Sequence, residues 1–230
     1  MIARMAISLR VATAACVVMV GVQLLQTCVA QEISATSAAE CGPLREVGET
    51  SGLLDYRLRD TEPRVQQGVA LINRFHTDRA RQFLSSPSDS IARTAISDLD
   101  FTLRHSPNHH EALRLLLEWH HRGGKSYEYP SIECFFTWAR EFAPTDAAVA
   151  QLTAQYYWKI GDLTQAQELF GQALRLDPDS SELNYNAGLF YFARKDYAKA
   201  RKHAQIAYAA GYPLPGLRNM LEREKQWTGH

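Results

Sequence analysis

Apolar and small residues recur at a fixed spacing of 34 along the second half of this chain. Residues 147–180 read AAVAQLTAQYYWKIGDLTQAQELFGQALRLDPDS, and residues 181–214 read SELNYNAGLFYFARKDYAKARKHAQIAYAAGYPL. At that offset Ala154 matches Gly188, Tyr157 matches Tyr191, Ala166 matches Ala200 and Ala173 matches Ala207. Pro178 finds its counterpart in Pro213, one residue late. Each unit carries two runs of helical periodicity. Gly161-Asp162 punctuates the first unit and Lys195-Asp196, a poorer turn, the second. Pro178 cannot continue a helix and marks its end. The pattern predicts antiparallel helix pairs. Small residues stand where backbones approach, and Tyr157, Phe170 and Tyr191 fill the gaps between them.

A third, divergent unit precedes these two. After Pro107, Leu113, Leu116 and Leu117 define an apolar face and Gly124 falls at the turn. An insertion, KSYEYPS, follows. Ile132, Phe136 and Ala139 then carry a second helix that Pro144 closes. Upstream, residues 86–107 read as the second helix of a half-repeat, capped by Ser88 or Ser90, with Ile91, Ala95, Leu99 and Leu103 as its stripe. Residues 61–87 form a short helical segment on which Val65, Val69, Ile72 and Phe75 share a face. There, either Thr77 caps a second helix or the joint at His76-Thr77 is a kink. Residues 31–60 are an irregular extension. Residues 214–230 contain PGLRNMLEREKQW, an amphipathic cap covering the last pair with Leu217, Leu221 and Trp227.

A period of 34, with these small and aromatic positions, resembles the tetratricopeptide repeat. The resemblance implies an all-α solenoid: about three helix pairs over 88–213, a preceding half-repeat and a C-terminal capping helix. Thr153, Asn184 and Ala204 depart from the family's preference for larger apolar residues. The resemblance also implies a concave groove, lined by the first helix of each pair, that takes an extended peptide or a partner helix. Counted onto this chain, the groove residues are Glu111, Arg114, Glu118 and His121; Gln151, Gln155, Trp158 and Lys159; and Glu182, Tyr185, Leu189 and Phe192. Trp158, Tyr185 and Phe192 are the expected anchors, since large aromatics dominate binding hot spots; the alternative is that they fill the core or contact the cap. Arg114, Glu118, Gln151 and Gln155 do not supply the Lys and Asn set with which some members hold a carboxylate tail.

Charge and the N-terminus place the chain. Its formal net charge is zero, so no basic field points to nucleic acid. Residues 1–30 carry Arg4 and Arg10, an apolar run and small residues before Ala30. This is the pattern of a secretory signal peptide, with an uncleaved anchor as the alternative. Cleavage leaves twenty-three basic and twenty-five acidic residues, a net charge of −2, and no expected membrane association. It also leaves two cysteines, Cys41 and Cys134. In an exported chain these read as one disulfide, or otherwise as two thiols. The segments CGPL, LDYR, FHT, DLDFTLRHSPNHHEAL, ECFF and GYPLPGLR resemble exported tetratricopeptide-repeat proteins of Gram-negative bacteria, which implies a periplasmic address. The capping helix argues for a monomer.

Histidine is concentrated in HSPNHHEALRLLLEWHH (105–121). His109-His110 and His120-His121 bracket a helix whose eleven residues span roughly 16 Å, too far for one metal ion with ligands about 2 Å away. No metal and no cofactor is expected. The Gly-Lys-Ser at 124–126 lacks the earlier glycine and the preceding strand of a phosphate loop. No nucleophile elbow, zinc-protease or redox motif is present, so no catalytic residue is assigned. Tyr56, Arg57, His76, Asp98, Asp100 and Asn108 either build a small polar site or stitch the extension onto the solenoid. The leading expectation is a periplasmic adaptor for a protein or peptide partner in envelope or secretion-system assembly. The alternative is a periplasmic ligand- or metal-binding protein using the N-terminal segment and its histidines.

Overall fold

A computed structural model of the chain describes residues 41–44, 52–86 and 88–227. The expected leader and most of the expected irregular extension lie outside the described residues. Among those described, the regular structure is helical throughout.

The two sequence repeats are two helix pairs. α6 (Ala147–Ile160) pairs with α7 (Leu163–Leu176), and α8 (Ser181–Ala193) pairs with α9 (Tyr197–Ala209). Polar caps set their starts. Asp146 accepts from the Ala148 and Val149 amides, Asp162 from Gln165, Ser180 from Leu183 and Asp196 from Lys199; each satisfies amides the helix leaves orphaned. The turns within the pairs are equivalent in the repeat and share a left-handed backbone, with φ of 92° at Gly161 and 60° at Lys195. Glycine adopts that conformation without strain; lysine does not.

The small residues do what the period predicts. Ala154, Ala166, Ala173, Ala200 and Ala207 are fully buried. Gly188 is smaller still for a local reason: a Cβ there would stand 2.4 Å from Leu217 Cδ2. Leu217 and Leu221 belong to α10 (Gly216–Arg223), the capping helix, and both are fully buried. Between the pairs, the Phe170 and Phe190 rings meet at 5.1 Å. Asn184 fits its apolar site because its amide donates to the Pro178 and Ser180 carbonyls while His203 holds its oxygen.

The divergent pair is α4 (His110–His121) and α5 (Ile132–Phe142). Leu113, Leu116, Leu117, Ile132, Phe136 and Ala139 are all buried, as their spacing predicts. α3 (Asp89–His105) does not stand alone. α1 (Pro63–Ile72), a π-helical turn at Asn73–Thr77 and α2 (Asp78–Phe83) run continuously, and Ala80 and Leu84 pack with Ala95, Ile96, Leu99 and Leu103 in one core.

Four expectations for this region are corrected. Thr77 caps nothing: the chain stays helical through a π turn at the joint, and Thr77 is fully buried. The π turn contains one extra residue, so the buried series runs Val65, Val69, Ile72, Thr77, Ala80, Leu84. Phe75 is thereby turned out, 52% exposed. On α3, Ile91 is 37% exposed and Ala92 takes the buried place. Ser88 occupies the N-cap position, but its hydroxyl bonds Ser90 Oγ and not a helix amide.

Cys41 and Cys134 form a disulfide across a sequence separation of 93. Trp138 Nε1 donates to the Gly42 carbonyl beside it at 3.0 Å, so the segment before the array is held both covalently and by hydrogen bonding.

Candidate functional site

The first helices α4, α6 and α8 line up as the repeat requires, and their two ends differ. Near the helix N-termini a polar bridge joins all three. Arg114 Nη2 reaches Glu182 Oε1 at 3.1 Å, and Gln151 Nε2 lies 3.5 Å from the same oxygen. Arg114 also bonds Glu111, which receives Arg81 from α2. An ion pair between α4 and α8, across α6, requires these helices to curve toward one another on this face. Gln151 is 6% exposed.

Toward the helix C-termini the character changes. Glu118, His121 and Lys159 are exposed; Gln155, Trp158, Leu189 and Phe192 are half-buried. Trp158 sets its ring edge-on to Phe190 at 5.5 Å, and Phe192 does the same to Tyr197 at 5.4 Å. These side chains are anchored by one face and retain exposed area. Tyr185 does not join them. It is 8% exposed, stacked on Tyr212 at 4.1 Å and edge-on to Tyr208, so it serves the contact with the C-terminal cap.

The six polar residues of the N-terminal segments fall into separate groups. The first surrounds Asn108. Its oxygen accepts from the Tyr56 amide at 2.9 Å, and its amide donates to Asp55 and Asp146 at 2.7 and 3.0 Å. Asp146, which caps α6, also receives His110 Nε2 at 2.8 Å. Arg57 forks onto Asp55 and reaches Thr145. The Tyr56 ring sits 4.2 Å from that of His109. The arrangement ties residues 55–57 to the first turns of α4 and α6. In the second group, Asp98 accepts from His76 Nδ1 at 3.0 Å and from Arg79. Asp100 joins neither; it pairs with Arg104 one turn along its own helix.

Asp55 and Asp146 were not singled out by the sequence, and His110 was weighed only as a metal ligand. Asp146 had one signal, its place as an N-cap. Its meeting with His110, 36 residues earlier, follows from the repeat, since both begin first helices of adjacent pairs.

The electrostatics follow from these bonds and from burial. Hydrogen bonding by Arg57 holds the Asp55 carboxyl down at about 2. For Asp146 burial acts upward, but bonds from His110, Asn108 and the Val149 amide outweigh it and the pKa is lowered. Burial lowers His109 to about 3; its Nδ1 accepts from the Ala112 amide, so Nε2 carries the proton donated to Asn73 Oδ1. His105 does not meet His109: it bonds the Phe101 carbonyl. Among the described residues no group of three His, Cys, Asp or Glu side chains could hold a metal ion, and no helix is long and apolar enough to cross a membrane.

A tetratricopeptide repeat family profile matches residues 152–213, which are most of α6 together with α7, α8 and α9. The chain carries tetratricopeptide repeats on an all-α helix-pair array, and such repeats generally mediate protein–protein interaction. No curated protein matches it.

Proposed function

We propose that this protein is an adaptor that binds an extended peptide or a partner helix along the C-terminal halves of α4, α6 and α8. The observation that carries this reading is the asymmetry of that face. One end is cross-braced by Arg114, Gln151 and Glu182. The other offers Trp158, Leu189 and Phe192 as half-buried apolar anchors beside the exposed Glu118, His121 and Lys159. Apolar anchors ringed by charge suit a partner that brings one or two large side chains and a polar backbone. Gln155 lies between the two ends. The repeat fold is typically a non-enzymatic scaffold, and no residue is assigned a catalytic role.

The site of action proposed is the periplasm, supported by the leader-like residues 1–30 and by the Cys41–Cys134 disulfide, which persists in oxidising compartments. The protein acts there as a monomer on a partner in envelope or secretion-system assembly. The test is a photo-crosslinking amino acid at Gln155 in cells, followed by fractionation. One discrete periplasmic partner, lost on Trp158→Ala, is the expected result. Capture of the protein's own N-terminal segment alone would mean the face is self-occupied and would refute the adaptor reading.

A further inference from the structure

The two sulfurs of the Cys41–Cys134 disulfide sit in unlike surroundings. Cys134 is the third residue of α5, and Ser131 is the N-cap of that helix. Helical side chains point back toward the N-terminus, and here a hydrogen bond fixes the direction. Ser131 Oγ donates to Cys134 Sγ at 3.2 Å and accepts from the Cys134 amide at 3.3 Å. The sulfur therefore lies beside the cap, at the positive end of the helix dipole. No described residue offers Cys41 Sγ an equivalent donor. Cys134 is 8% exposed, whereas Cys41 is half-buried and followed by the exposed Gly42 and Pro43.

The difference bears on thiol chemistry. A disulfide is neutral, so the dipole and the hydroxyl gain little from it; a thiolate at Cys134 would gain from both. A helix N-terminus lowers a thiol below its ordinary pKa of about 8.5, and a hydrogen bond to the charged form lowers it further. Burial beside the apolar core acts the other way. Glu133, the neighbouring acid, is engaged by the Tyr157 hydroxyl, which donates to it at 3.2 Å. In thiol–disulfide exchange the sulfur whose thiol has the lower pKa leaves faster. Attack is thus directed to Cys41, the more exposed of the two, and Cys134 is expelled.

We propose that this disulfide is exchangeable and oxidises a dithiol partner. A thiolate of the partner bonds to Cys41 Sγ. The Cys41–Cys134 bond breaks, and its electron pair leaves on Cys134 Sγ, where Ser131 and the first turn of α5 stabilise it. The partner's second thiol, deprotonated, then attacks the partner's first sulfur in the mixed disulfide, and Cys41 departs as a thiolate. The partner ends as a disulfide, oxidised by two electrons. This chain ends with two reduced cysteines, and the partner's two protons pass to them or to solvent. The Trp138 bond to the Gly42 carbonyl and the packing of Leu44 remain to hold the released segment. The groove takes no part, so failure of either assignment leaves the other standing.

The experiment uses the full chain with Cys16→Ser and Cys28→Ser, which leaves Cys41 and Cys134 as its cysteines. The oxidised protein is treated with reduced glutathione under native conditions, quenched with acid and mapped by mass spectrometry. Glutathione on Cys41, with Cys134 free, is the expected result. Dithiothreitol should reduce the bond at a rate that urea below the unfolding transition leaves unchanged. A second measurement titrates the Cys134 thiolate by its ultraviolet absorbance after Cys41→Ser. Its pKa should lie about one or more below the ordinary value. Ser131→Ala should raise it by about one, and Ser131→Thr should restore it. Glutathione on Cys134 instead of Cys41, or on neither, overturns the proposal. So does reduction that rises in step with the unfolded fraction, which would mark a structural bond opened only by unfolding. A Cys134 pKa at or above the ordinary value overturns it as well. The adduct and the reduction rate are read with both cysteines in place, so they decide the proposal even where the Cys41→Ser protein fails to fold.

Discussion

His109 caps α4 with an imidazole, and that choice makes the fold sensitive to mild acid. The ring is fully buried. Nδ1 must keep its lone pair to accept the Ala112 amide, and Nε2 must keep its proton to donate to Asn73. Protonating Nδ1 would set a donor against a donor and place an uncompensated charge in the interior. Burial accordingly lowers the folded pKa to about 3, from an ordinary 6.5. Between those values the unfolded chain binds a proton that the folded chain does not, so stability falls as pH drops below 6.5. At pH 5 the unfolded histidine is about 1.5 pH units into its titration while the folded one is still neutral. At about 1.4 kcal/mol per unit, the loss is about 2 kcal/mol relative to pH 8. The perturbation is His109→Asn, which keeps a capping acceptor and removes the titration. Urea denaturation followed by circular dichroism at pH 8 and pH 5 gives both free energies. The other histidines are common to both proteins and cancel. The wild type should lose about 2 kcal/mol more than the variant across this interval. Equal losses would show that His109 titrates normally and that the capping tautomer is wrong.

Asp146→Ala should cost about 3 kcal/mol, from the lost cap and the stranded Asn108 and His110 donors, and lower Tm by roughly 6–12 °C. Asp146→Asn should cost clearly less, and equal Tm values for the two would remove the charge and capping argument. With its folded pKa held near 2, Asp55 contributes stability that is complete above its ordinary 3.8 and disappears as pH falls through 2. Asp55→Asn should therefore flatten the acid limb of a stability–pH curve below pH 4, and an unaltered limb would argue against the Arg57 bond. Reduction of the disulfide, which closes a loop of 93 residues, should lower stability by about 4 kcal/mol. The Cys41→Ser/Cys134→Ser protein should show the same loss and no response to reductant in thermal melts. The left-handed turns predict opposite signs: Lys195→Gly should stabilise by about 1 kcal/mol and Gly161→Ala destabilise by about as much, with matching signs in both refuting the turn assignment.

The repeats were readable because their information is local and periodic. A spacing of 34 fixes which residues meet within a pair, and Ala154, Ala166, Ala200 and Ala207 are buried for that reason. The same reading failed where one residue is inserted without a marker. Nothing in NRFHT announces a π turn, so Phe75 was carried onto the core face by a period that had already shifted. The polar residues were found as a set but not as groups. Asn108 meets Asp55 across 53 positions and Asp146 across 38, and only the second is near a repeat length. Tyr185 reads as an anchor by register, yet Tyr212 covers it, because the segment after α9 folds back over that ring. The cap was expected, but which groove residue it would cover is a matter of packing.

The Cys41–Cys134 bond has a mechanical consequence. When the two ends of the chain are drawn apart, tension entering at Cys41 crosses directly to Cys134 and bypasses everything between. The enclosed 93-residue separation corresponds to roughly 300–335 Å of extended chain at about 3.3–3.6 Å per residue, and none of it can be drawn out while the sulfurs remain joined. Residues 55–57, α1, α2, α3 and all of α4 lie inside that shielded loop. α5 beyond Cys134, α6 to α9 and the cap bear the load, so a pull on the C-terminus would unwind those helices before it disturbed the shielded loop.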